Sequence, residues 1–143
     1  MTGGEVDICT MIRRARRFGN TRCGVVEGRM NVPEVARAFG LADDGAIYRT
    51  VGSAEADAIA TRVLHTDLAY GAEIMSLSEA ADLWRRFKAL FDGQDVEFVT
   101  NQGVIDIGAG YSSWTSATAA TFDMGILVIG ATRAGCLWVE DED

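Results

Sequence analysis

The chain is poor in the residues that most often announce chemistry. Among 143 residues there is one histidine, His65, and there are three cysteines, Cys9, Cys23 and Cys136. Three cysteines cannot all pair within one chain, and none of them stands in a CxxC spacing. Neither a disulfide framework nor a Cys/His zinc centre is therefore indicated. The expectation is a reduced, cytoplasmic protein whose thiols are partly buried. No apolar run reaches the roughly 18 residues that a membrane-spanning helix needs. The start, Met1-Thr2-Gly3-Gly4-Glu5-Val6-Asp7, lacks the basic opening and apolar stretch of a secretory signal. Internal repeats, low-complexity tracts and linkers are also missing. The reading is a single domain over 1–143, long enough to bury a core without disulfides or a structural metal.

What is present is negative charge, and it is unevenly placed. The formal net charge is −8. Residues 1–62 hold nine Lys/Arg against eight Asp/Glu, whereas residues 63–143 hold four against thirteen. A phosphate backbone would be repelled, so nucleic acid is not an expected partner. The second half is where a cationic partner would be steered, although an acidic surface also serves solubility.

Apolar spacing divides the chain into helices and strands. Val6, Cys9, Ile12 and Ala15 recur at helical intervals over residues 5–18, with Arg13, Arg14, Arg16 and Arg17 assigned mostly to the wet face. Cys23 to Val26 fits a short strand. Asn31 and Glu34 form a capping box around Pro33 and open a helix that stops near Gly40. Ala46 to Val51 fits a strand after the Asp43-Asp44-Gly45 turn. Ser53 is expected to cap a third helix that ends near Asp67, with Ala56, Ile59, Ala60, Val63, Leu64 and Leu68 in its apolar series, and alternation over Leu68 to Met75 suggests a strand behind it. Ser76 and Glu79 give a second capping box and open a helix through Phe91. Val96 to Thr100 and Val104 to Ile107 read as a hairpin around Asn101-Gln102-Gly103. Ile126 to Ile129 is apolar at consecutive positions, as expected mid-sheet with both faces covered. The sum is an α+β fold: a mostly antiparallel sheet, three to four helices and a C-terminal β-hairpin.

That hairpin ends in Glu140-Asp141-Glu142-Asp143. With no linker before them, the four acids are expected on a rigid edge suited to docking a basic partner. The run lacks the glycine-turned loop of an EF-hand, and consecutive strand residues face opposite ways, so no dedicated calcium site is expected. Gly108-Ala109-Gly110-Tyr111-Ser112-Ser113 lacks the lysine of a phosphate loop and does not complete a dinucleotide fingerprint. No cofactor is implied. Residues 108–123 lack a clear period, and long irregular loops in small domains are often functional. Tyr111 and Trp114 within this segment are candidate contact aromatics. His65 with Asp67, or with Cys136 as nucleophile, is the arrangement a small enzyme would use. A lone histidine near a helix end more often caps or packs.

Thr121-Phe122-Asp123-Met124-Gly125-Ile126-Leu127-Val128-Ile129, the closing Cys136-Leu137-Trp138-Val139-Glu140-Asp141-Glu142-Asp143 and the Leu64-His65-Thr66-Asp67-Leu68-Ala69-Tyr70 stretch resemble small bacterial immunity proteins, the antidotes of toxin–immunity pairs. The resemblance lies in size, acidity and closing style over the second half of the chain. It implies a cytoplasmic protein that binds and neutralises a cognate toxin, or another basic protein, without membrane or nucleic acid. Glu140, Asp141, Glu142 and Asp143 would steer and pair, and Trp138, Trp114 and Tyr111 would anchor. Trp138 can equally be a core residue of the last strand. The competing classes are the His65 enzyme and a ligand-binding or homo-oligomerising module built on residues 108–123.

Overall fold

A computed structural model describes residues 3–103 and 114–142. Its centre is the C-terminal hairpin. Strand β4 (Phe122–Gly130) and strand β5 (Arg133–Asp141) pair antiparallel across the Ala131-Thr132 turn, from Phe122 opposite Asp141 to Ile129 opposite Ala134. Strand β1 (Asn20–Glu27) adds to the outer side of β5, while β3 (Val96–Thr100) and the short β2 (Arg49–Val51) extend the sheet beyond β4. The order is β1-β5-β4-β3-β2, antiparallel throughout.

Period-2 alternation splits the hairpin between two apolar layers. Ile126, Val128, Leu137 and Val139 face one side. There they meet helices α1 (Gly3–Ala15), α3 (Ser53–His65) and α4 (Leu77–Lys88). Leu127, Ala134, Cys136 and Trp138 face the other, against helix α2 (Val32–Ala38) and the turn Gly45–Ile47. Both faces of Ile126 to Ile129 are thus covered, as the unbroken apolar run requires. Each fully buried Leu, Ile or Val contributes about 1.5–3 kcal/mol of transfer free energy. Gly125 stands opposite Trp138, where a Cβ would lie 2.1 Å from the Leu137 carbonyl oxygen. Only glycine permits that approach.

The first capping box forms in full where the sequence places it, and the second forms in its Ser76 half. The Asn31 side chain accepts from the Glu34 amide and Glu34 accepts from the Asn31 amide, both at 3.0 Å. Ser76 accepts from the Glu79 amide at 3.1 Å. Four local expectations change. Helix α3 is preceded by Gly52 as its N-cap, so Ser53 is its first residue and not its cap. The strand foreseen over Ala46 to Val51 shortens to Arg49–Val51, because Asp44 caps a 3₁₀ turn by accepting from the Ala46 amide. Leu68 to Met75 is a turn, with only a Thr66–Glu73 bridge in place of a strand. There Asp67 accepts from the Tyr70 and Ala72 amides, and Gly71 adopts φ +70°, which diverts the backbone from a ladder. Finally, Cys9 and Cys23 form a disulfide that ties α1 to β1, against the expectation of free thiols. Three cysteines leave one over, and it is Cys136, fully buried. The strand foreseen over Val104 to Ile107 lies outside the described residues.

Candidate functional site

The closing acids do not share one edge, and strand geometry explains why. Asp141 continues the series Leu137, Val139 and turns toward the helices; Glu140 continues Cys136, Trp138 and turns the other way. Glu140 accepts from Arg22 Nε and from Asn20 Nδ2 on the neighbouring strand, both at 2.8 Å. Glu142 is exposed and accepts from Thr121, through the backbone amide at 3.1 Å and through the hydroxyl. Asp143 and Tyr111 lie outside the described residues.

Asp141 is 3% exposed and forms a bidentate ion pair with Arg16, at 2.9 and 2.7 Å. Arg16 follows the last residue of α1, and its side chain is fully covered, against the expectation of a solvated arginine. It also donates to the carbonyls of Val63 (2.6 Å), Phe18 (2.8 Å) and Thr66 (3.4 Å), and Asp141 accepts from the Leu68 amide at 2.8 Å. One ion pair therefore fastens the end of α1, the end of α3, the 66–74 turn and the end of β5 to each other. A buried charge is tolerable when paired and hydrogen-bonded to this degree. Gly19, with φ +67°, carries the chain over this pair; a Cβ there would sit 2.1 Å from Asp141 Oδ1.

Residues 18–19, 67–74 and 141–142 line a groove of about 400 Å³. Phe18, Tyr70, Ala72 and Ile74 form its apolar walls; Asp67, Glu73 and Glu142 stand around it, with Asp141 at the base. Among the described residues the lining contains no Arg, Lys or His. Phe18 is 57% and Tyr70 75% exposed, an unusual allowance for two large rings lining one groove. The Asp67 carboxyl is held below the usual carboxylate range, chiefly by the Tyr70 amide and further by the Ala72 amide. It stays anionic while it shapes the turn that displays Tyr70.

Trp138 is fully buried and donates from Nε1 to Asp123 at 3.2 Å, so it belongs to the core. Trp114 is half-buried against Phe122, ring centroids 5.5 Å apart, and bridges to Gln102. Asp123, fully buried, also accepts from Asn101 Nδ2, from the amides of Ala117 and Thr118, and from the Thr118 hydroxyl. It thereby fixes Ala117 and Thr118, while Asn101 holds Thr115 by donating to its carbonyl and accepting from its amide.

The proposed catalytic groups are not brought together. His65 Nδ1 lies 2.7 Å from the Met75 carbonyl, and its ion-pair neighbour is Glu73 at 3.9 Å. Cys136 packs in the layer across the sheet from α3, where burial pushes its thiol pKa up and makes it a poor nucleophile. Among the described residues no group of three or more His, Cys, Asp or Glu is arranged to hold a metal ion. No described helix is long and apolar enough to cross a membrane.

Sequence reasoning missed Phe18, Tyr70 and Arg16 as parts of this site. Tyr70 had a usable signal, since Asp67 and Gly71 flank it as turn formers. Arg16 had none, because its partner is 125 residues away. The chain matches no family model, no curated protein and no solved structure.

Proposed function

We propose that this chain is a stoichiometric binding protein of the immunity type, which neutralises a basic toxin domain by covering its cationic residues. The observation that carries the reading is the groove at the end of β5, where two exposed rings stand among carboxylates on a base fastened by Arg16 and Asp141. A fixed anionic surface raises the rate of encounter with a cationic partner, and exposed aromatics supply contact area at little entropic cost. The size, acidity and closing pattern of the chain support the same class. Of the acids first considered, Glu142 fits the docking role in this reading; Glu140 and Asp141 organise the surface from within. Trp114 would contribute an edge of its ring.

The proposed site of action is the cytoplasm, where an antidote meets an incoming toxin. The Cys9–Cys23 bond pulls against that placement, because disulfides persist mainly in oxidising compartments. Fractionation of the native host decides between them.

The reading is tested by recovering the tagged chain from its native host and identifying what accompanies it in equal amount. A basic protein, toxic when expressed alone, harmless when expressed with this chain and released by salt, is the expected companion. A toxic companion that remains active in the complex would refute neutralisation.

A further inference from the structure

We propose that the groove walled by Phe18 and Tyr70 receives an arginine side chain presented by a basic segment of a protein partner. The inference rests on the reading of this chain as a binder of basic proteins, and it assigns the contact by which recognition occurs. Three features select the occupant. Phe18, Tyr70, Ala72 and Ile74 favour a flat, weakly hydrated group over a strongly hydrated one. The carboxylates of Asp67, Glu73 and Glu142 demand positive charge, and the described lining residues supply none of their own. Arg16, beneath the groove, is committed to Asp141 and to three backbone carbonyls, so its donors are not offered to the rim, while its charge helps to keep Asp67 anionic. A guanidinium satisfies all three features: its faces stack on aromatic rings, and its forked N–H donors reach carboxylates in its plane. An ammonium would satisfy the charge and lose the stacking.

The groove is also prepared before binding. Asp67 fixes the Tyr70 turn through two amides, 2.6 and 2.9 Å away. Thr121 holds Glu142, and the Arg16–Asp141 pair holds the backbone on both sides. Little ordering is left to oppose an incoming side chain.

The direct test titrates the intact chain with acetyl-Gly-Arg-Gly-amide while amide NMR shifts are followed. The neutral isostere acetyl-Gly-citrulline-Gly-amide and the lysine peptide serve as comparisons. Saturable shifts at Phe18, Gly19 and Tyr70 to Ile74 are expected, strongest for arginine, weaker for lysine and nearly absent for citrulline. Tyr70→Ala and Glu73→Gln should each weaken arginine binding by about three- to tenfold. Both positions are exposed, so both variants retain the fold. Equal response to citrulline, shifts centred elsewhere, or no response at millimolar peptide would overturn the proposal. The two readings fail separately. A neutralised toxin whose affinity ignores Tyr70→Ala removes the groove and leaves the immunity reading. Arginine-peptide binding beside a companion that stays active does the reverse.

Discussion

Asp141 and Asp123 sit on adjacent strands of one hairpin, both buried, and the fold stabilises them in opposite ways. Asp141 faces the helical layer and is balanced by a full charge, Arg16, whose remaining donors reach three carbonyls. Asp123 faces the other layer and is balanced by neutral donors: two amides, a hydroxyl, a carboxamide and an indole. Each carboxylate gathers segments distant in sequence. Asp141 assembles the groove, and Asp123 fixes Ala117 and Thr118. The contrast teaches that an ion pair makes assembly all-or-none, since either partner alone is a stranded charge, while a shell of neutral donors fails one bond at a time.

Breaking the ion pair is the harshest way to probe that contrast. Asp141→Ala leaves Arg16 buried and unpaired, and chemical denaturation should register a loss of about 3–5 kcal/mol. Replacing both partners, Arg16→Met with Asp141→Leu, should recover much of it, because no charge is then stranded. A loss for the single variant below about 1 kcal/mol, the level of an exposed pair, would show that the pair is solvated and does not fasten the groove.

Asp123→Asn should cost less, about 1–3 kcal/mol, since one oxygen facing amide donors becomes a donor itself. Faster hydrogen exchange at the Ala117 and Thr118 amides should accompany the loss, and exchange near Tyr70 should stay as it was. Changes at both places would mean that the two hubs are coupled.

The smallest effect separates the turn from the hubs beneath it. Asp67 has a folded-state pKa below its unfolded value, so its contribution is complete above the ordinary aspartate range. That contribution fades as pH falls through the lowered value. Protection of the Tyr70 and Ala72 amides should therefore decline in acid, and Asp67→Asn should remove that pH dependence.

The parts of the fold written in local pattern were legible. The unbroken apolar run Ile126 to Ile129, a short turn and a second apolar strand marked the hairpin, and paired Ser/Asn–Glu spacings marked the starts of α2 and α4. Legibility ended where a local hydrogen bond competes with a pattern. Leu68 to Met75 alternates as a strand does, yet Asp67 takes the amides that a ladder would need. It also ended where long-range contacts decide. Arg16 looks like one of four solvated arginines until β5 brings Asp141 beneath it. Counting every second residue from Leu137 could have flagged Asp141 as inward-facing, and would have divided the acidic run in advance. The Phe18–Tyr70 groove joins residues more than fifty positions apart and carries no motif.

The most direct test of the central claim, that the groove at the end of β5 is the recognition surface, is hydrogen exchange of this chain alone and bound to its co-purified partner. The account predicts new protection concentrated at Phe18 to Gly19 and across residues 66–74, with β1 and α2 unchanged. Protection confined to α2 or to the outer edge of β1, with the groove still exchanging freely, would contradict it.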